Sequence, residues 1–125
     1  MAAPAPGRAQ FDDICDALTA WHEDVRRSTI FGMPCLKKAG RVIFGFPRSG
    51  RGMVFKLEDP EVHARALALP GAHLFDPSGR GNTVFKQWVV VPPGQADEWE
   101  SLAMDALRGS HAPLWENQEP SSSSR

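Results

Sequence analysis

Long apolar runs are missing from this chain. No segment approaches the ~18 consecutive apolar residues of a membrane span, and residues 1–10 hold one Arg and no apolar stretch of the kind that opens a secretion signal. A cytoplasmic location without a membrane partner is therefore expected. Cysteine is also scarce: Cys15 and Cys35 stand twenty positions apart with no CxxC pattern. With 42% apolar residues, seven Phe and four Trp, the chain has the material for one packed core. It does not depend on a disulfide, and both thiols are expected to be reduced.

The spacings that carry chemistry are missing as well. His22, His63, His73 and His111 form no HxxxH or HxxE pair, so no metal site is indicated. Neither glycine-rich loop ends in GK[ST] or runs straight into a helix, which excludes a nucleotide-cradling P-loop. Cys35 follows Pro34 in a strand-like run with no neighbouring base, the setting of a buried thiol rather than a nucleophile. No catalytic residues and no cofactor are expected.

What the chain does have is segregated charge. The formal net charge is −1, too little cation excess to drive nucleic-acid binding by the whole molecule. Between Arg26 and Lys56, however, stand eight basic residues and no acid. The stretch before it carries Asp12, Asp13, Asp16, Glu23 and Asp24 with no base, and from Pro92 onward six acids face only Arg108 and Arg125. The acids early in the chain read as the wet side of an amphipathic helix.

Periodicity then orders the elements. Phe11, Ile14, Cys15, Leu18, Trp21, His22 and Val25 recur at helical spacing. Strand-like runs follow at about 29–36, 41–46 and 53–57, split by Lys38-Ala39-Gly40 and by the turn-rich 47–52, which predicts an antiparallel meander. In the second run Val42, Phe44 and Phe46 alternate with Arg41, Ile43 and Gly45, so one sheet face is expected to be buried and the other partly wet. Asp59-Pro60 opens a short helix at about 60–69 that Pro70-Gly71 stops. A strand at Ala72–Phe75, a loop at 76–82 and a β-rich run at Thr83–Val91 come next. The last helix places Trp99, Leu102, Ala103, Ala106 and Leu107 on one face. Residues 1–9 read as a disordered lead, 10–112 as a single α+β domain, and 113–125 as a flexible tail.

This order of elements resembles the TfoX N-terminal-domain family and, in layout, the YjbR-like proteins. The resemblance is carried by Phe31-Gly32-Met33-Pro34-Cys35-Leu36-Lys37 with Gly40-Arg41-Val42-Ile43-Phe44, then Val54-Phe55-Lys56-Leu57, then Lys86-Gln87-Trp88-Val89-Val90-Val91. It implies an α-β(3)-α-β(2)-α fold, a five-stranded antiparallel sheet packed against helices in a secretion-chaperone-like layout. It also implies a regulatory bacterial-type domain with a DNA-binding association and no catalytic set. The folded part is expected to end near residue 112, without the second domain of the full-length regulators.

The candidate site is the basic meander. Ser49-Gly50-Arg51-Gly52 recurs as Ser78-Gly79-Arg80-Gly81, and each copy is soon followed by Val-Phe-Lys. Glycines flanking an Arg let backbone N–H groups and a guanidinium converge on one anion. Arg41, Arg48, Arg51, Lys56, Arg80 and Lys86 are thus the candidates for binding nucleic acid or an acidic partner. Against this stands a plain solvated sheet face whose cations pair with the acidic helices. Trp88, beside Lys86, reads as core unless its sheet face is open, in which case it is a stacking platform. The competing function is a protein-interaction or chaperone-like homodimer that pairs through apolar surface around Trp21, Trp115 and the last helix.

Overall fold

The computed structural model describes residues 7–48, 52–76 and 84–109. Arg51, Arg80, residues 1–6 of the lead predicted at 1–9 and everything from 110 onward, including the tail predicted at 113–125, lie outside the described residues; Arg8 and Ala9 of that lead open the first helix.

The chain folds as α1 (Arg8–Trp21), β1 (Val25–Ile30), β2 (Met33–Lys38), β3 (Arg41–Gly45), β4 (Met53–Lys56), α2 (Pro60–Leu67), β5 (His73–Phe75), β6 (Phe85–Val91), a 3-10 turn at Pro93–Glu98 and α3 (Trp99–Gly109). All strand pairings are antiparallel, in the order β1-β2-β3-β4-β6-β5. The α+β class and the helix-packed antiparallel sheet match the expectation. The sheet has six strands, not five, because the run expected at 29–36 is a hairpin. Its turn is Phe31-Gly32, with both residues at positive φ, 53° and 74°. Ala39 and Gly40 make an equivalent two-residue turn at 50° and 84°. That pattern matches the strand twist of a tight hairpin.

Helix α1 buries Phe11, Ile14, Cys15 and Leu18. Trp21, expected on the same stripe, is 83% exposed. At 100° per residue it falls on the flank of the stripe, and the helix ends there as His22 turns extended. Val25 belongs to β1 instead of α1. Helix α2 begins as read: Asp59 caps it by accepting from the Glu61 amide at 2.9 Å, with Pro60 in its first turn. Helix α3 buries all five residues of its predicted face, and Trp99 donates its indole N–H to the Val91 carbonyl at 3.1 Å. That bond lets a polar ring sit fully buried at the centre of the core.

The helices pack on one side of the sheet, and the main core unites Phe11, Leu36, Phe44, Phe55, Val89 and Trp99 with their neighbours. Burying each such large side chain contributes about 1.5–3 kcal/mol before entropy is counted. One alternation expectation is corrected here. Leu36 pairs with Phe44 and Lys37 with Val42, leaving Ile43 as the extra residue of a β-bulge. The bulge brings Ile43 into the main core beside Phe44 rather than onto the opposite face.

The outer face carries a second, smaller core of Met33, Val54, Phe75 and Val90, against which Ile30, Phe85 and Trp88 pack. The sheet is curled about this face. Phe31, at the β1–β2 turn, lies 5.5 Å from the ring of Phe85 and 6.4 Å from that of Trp88 on β6. Two strands, β3 and β4, separate β2 from β6 in the sheet. At about 4.8 Å per strand spacing, a flat sheet would hold the two apart. No helix among the described residues is long and apolar enough to cross a membrane.

Candidate functional site

The cations around the sheet fall into two sets. On the helix side, Arg27 donates to Asp12 at 2.6 Å and approaches Asp16 at 3.5 Å, while Arg8 pairs with Asp12 at 3.3 Å. Burial pushes the Asp12 carboxyl up, but the hydrogen bonds from Arg27 and Arg8 outweigh it and hold the group below its ordinary value. The same bond to Asp12 raises Arg27 against the cost of its own burial. Arg65 and Arg108 share Asp105, and Lys38 reaches the Leu107 carbonyl at 3.5 Å. These cations serve the fold.

The outer side differs. Register alternation puts Arg26 and Lys37 directly opposite each other, on the face away from Val25 and Leu36. Lys56 stands opposite Trp88 on that face and pairs with Glu58 at 3.6 Å. Lys86 is exposed on β6 between Phe85 and Trp88, and its carbonyl lies 2.6 Å from Nε2 of His63 on α2. Arg48 is exposed after β3, with its side chain over Gly32, next to Phe31. Among the described residues, Arg26, Lys37, Arg48 and Lys86 form no ion pair.

Of the residues singled out in the sequence, Arg48, Lys56 and Lys86 border the aromatic cluster. Arg41 does not join them. It opens β3 opposite Lys38, at the other end of the strand from Arg48 and on the side facing α3. The hairpin turn between Lys38 and Arg41 enforces that separation. Arg51 and Arg80 fall outside the described residues. Among the described residues, Met53 pairs with Val91, whereas Phe75 pairs with Phe85 at the opposite end of β6.

Sequence reasoning missed Phe31 and Phe85. Four rings make one cluster here: Phe75 stacks on Trp88 at 5.8 Å with planes 12° apart, Phe85 meets Trp88 edge-on at 5.3 Å, and Phe31 touches all three. Phe31 is 53% exposed. The available signal was Phe31-Gly32 itself: a glycine two residues into an apolar run marks a turn, and a turn puts its aromatic at a tip.

A second surface lies between α1 and α3. A cleft of about 540 Å³ is lined by Ile14, Leu18, Trp21, Met104 and other residues, with Glu100 and Arg108 in its wall. Cys15 and Cys35 are free and buried. Burial drives the Cys15 thiol up to about 12, opposed weakly by Arg27, and raises Cys35 despite Lys37. No group of three or more His, Cys, Asp or Glu is placed to hold a metal ion among the described residues.

No family model matches the chain, and comparison with curated proteins and with solved structures likewise finds no match.

Proposed function

We propose that this chain is a non-catalytic regulatory or interaction module that binds a polyanion, nucleic acid or an acidic protein surface, through the outer face and rim of its curled sheet. The partition of the cations carries this reading. On the helix side Arg8, Arg27, Arg65 and Arg108 are matched by Asp12, Asp16 and Asp105 and Lys38 reaches a carbonyl, while on the outer side Lys56 pairs with Glu58 and Arg26, Lys37, Arg48 and Lys86 have no described acid within ion-pair distance. Two of them, Arg26 and Lys37, oppose each other directly across β1 and β2. Like charges so placed repel unless an anion lies over them. Arg48, Lys56 and Lys86 form the centre of the proposed surface, and Arg41 is left out of it. The resemblance to the TfoX N-terminal-domain family favours regulation over catalysis.

The test is binding of a labelled oligonucleotide and of polyglutamate across a salt series. Affinity for the true ligand class is expected to fall steeply with salt, and Arg48→Ala with Lys86→Ala to flatten that dependence. Salt-insensitive binding, or binding untouched by both substitutions, would remove the proposal.

The exposed Trp21 beside the α1–α3 cleft favours a second reading, a homodimer that pairs through this helical surface. Light scattering decides it. A concentration-dependent dimer abolished by Trp21→Ser is the expected signature, and a monomer at high concentration removes it.

A further inference from the structure

We infer that the polyanion taken by this surface is a single-stranded nucleic acid whose bases stack on Phe31, Phe85 and Trp88. This rests on the polyanion reading above and adds to it an account of the aromatic cluster.

Three observations converge. Phe31 occupies the first position of a two-residue turn at φ 53°, where Asn or Gly would sit with less strain. A bulky ring at such a φ costs conformational energy, and here it is left 53% exposed. Burial alone therefore does not account for the residue. The rings it meets are open in part too, for Phe85 and Trp88 are half-buried at the margin of the small outer core. Part of each residue is thereby left open to a ligand.

The charges are arranged to match. Lys56 stands directly across from Trp88, Lys86 lies between Phe85 and Trp88 in the chain, and the Arg48 side chain lies over Gly32 beside Phe31. Aromatic rings thus alternate with cations within a few residues of one another. A single strand presents the same alternation, with unpaired base faces carried on a run of phosphates. A duplex keeps its bases stacked on each other and offers this surface phosphates, sugars and base edges but no free base faces. An acidic peptide supplies charge but no regular π faces. The chemistry selects the single strand.

The experiment measures anisotropy of a labelled 15-mer of thymidylate, a mixed-sequence duplex of equal length and polyglutamate, across a salt series that starts at low salt. The variants are Phe31→Asn, which keeps a residue that tolerates positive φ, and Lys86→Ala. Thermal melts check that both remain folded. The single strand is expected to bind roughly tenfold or more tighter than the duplex. Phe31→Asn is expected to weaken single-strand binding about tenfold without changing its salt slope, whereas Lys86→Ala reduces the slope for both nucleic acids.

Duplex binding as tight as single-strand binding would overturn the inference while leaving the polyanion reading intact. So would an unchanged affinity in Phe31→Asn alongside a weakened Lys86→Ala. Binding of polyglutamate alone overturns it in favour of an acidic protein partner. Failure to bind any of the three overturns both.

Discussion

The ring of Phe31 lies 5.5 Å from that of Phe85, although the two belong to hairpins separated by β3 and β4 in the sheet. This contact ties the two sides of the sheet together across its outer face, and it closes over the small core of Met33, Val54, Phe75 and Val90. A double-mutant cycle with Phe31→Ala and Phe85→Ala should show a coupling of about 0.5–1.5 kcal/mol in urea unfolding. Strict additivity would mean that the two hairpins do not meet.

Gly52 has a φ of 136°, and a Cβ there would run into the carbonyl of Val91. The obstacle is backbone at the start of the β4–β6 ladder, which cannot rotate away as a side chain would. Gly52→Ala is therefore expected to cost about 3 kcal/mol or more. Denaturant titration will show whether the midpoint falls accordingly.

Trp99 combines a fully buried ring with a hydrogen bond to Val91. Trp99→Ala should cost about 3–5 kcal/mol through the cavity it leaves. Trp99→Phe refills most of that volume but leaves the carbonyl without its indole donor, so an intermediate loss is expected. Thermal melts of the two variants will rank them.

Asp12 is held below its ordinary value of 3.8 in the folded state by Arg27 and Arg8. The folded state thus binds this proton less readily than the unfolded chain does. The stabilisation is fully present above about pH 4 and lost as pH falls through the lower, folded value. The partners are all more than a third exposed, so Asp12→Asn should cost only about 1 kcal/mol or less. Its effect should shrink as pH falls below 3.8, a result that unfolding curves at pH 7 and at successively lower pH would check.

Cys15 works in the other direction. Its ordinary value is 9.0 and burial raises it to about 12, so between those values the unfolded chain gives up a proton that the folded protein keeps. Its contribution to stability is complete below pH 9 and declines as pH rises toward 12. A thiol reagent at pH 8 should accordingly leave both buried cysteines unmodified in the folded protein and modify both once it is unfolded in urea.

Much of the architecture was legible because it depends on local rules. The Asp59-Pro60 start of α2 is a capping signal, and the buried face of α3 is a helical period, and both read directly from neighbouring residues. The β2 hairpin was misread because Phe31 stands where a turn usually has Asn or Gly, so the apolar run looked continuous. Ile43 was misplaced for a related reason: strict alternation assumes a regular ladder, and a bulge depends on the partner strand.

The proposed surface was less accessible. That eight cations cluster between Arg26 and Lys56 was plain from the chain, but periodicity alone did not tell which would be used up by the helices. Arg27 is drawn to Asp12, fifteen residues away, and Lys38 to a carbonyl sixty-nine residues away, because α1 and α3 pack over the same side of the sheet. The sequence by itself determined the elements, the helical faces and the segregation of charge, since these follow from side-chain period and local capping. The tertiary structure decided which cations remain unmatched and which rings meet, because pairing and curl depend on contacts between residues far apart in the chain.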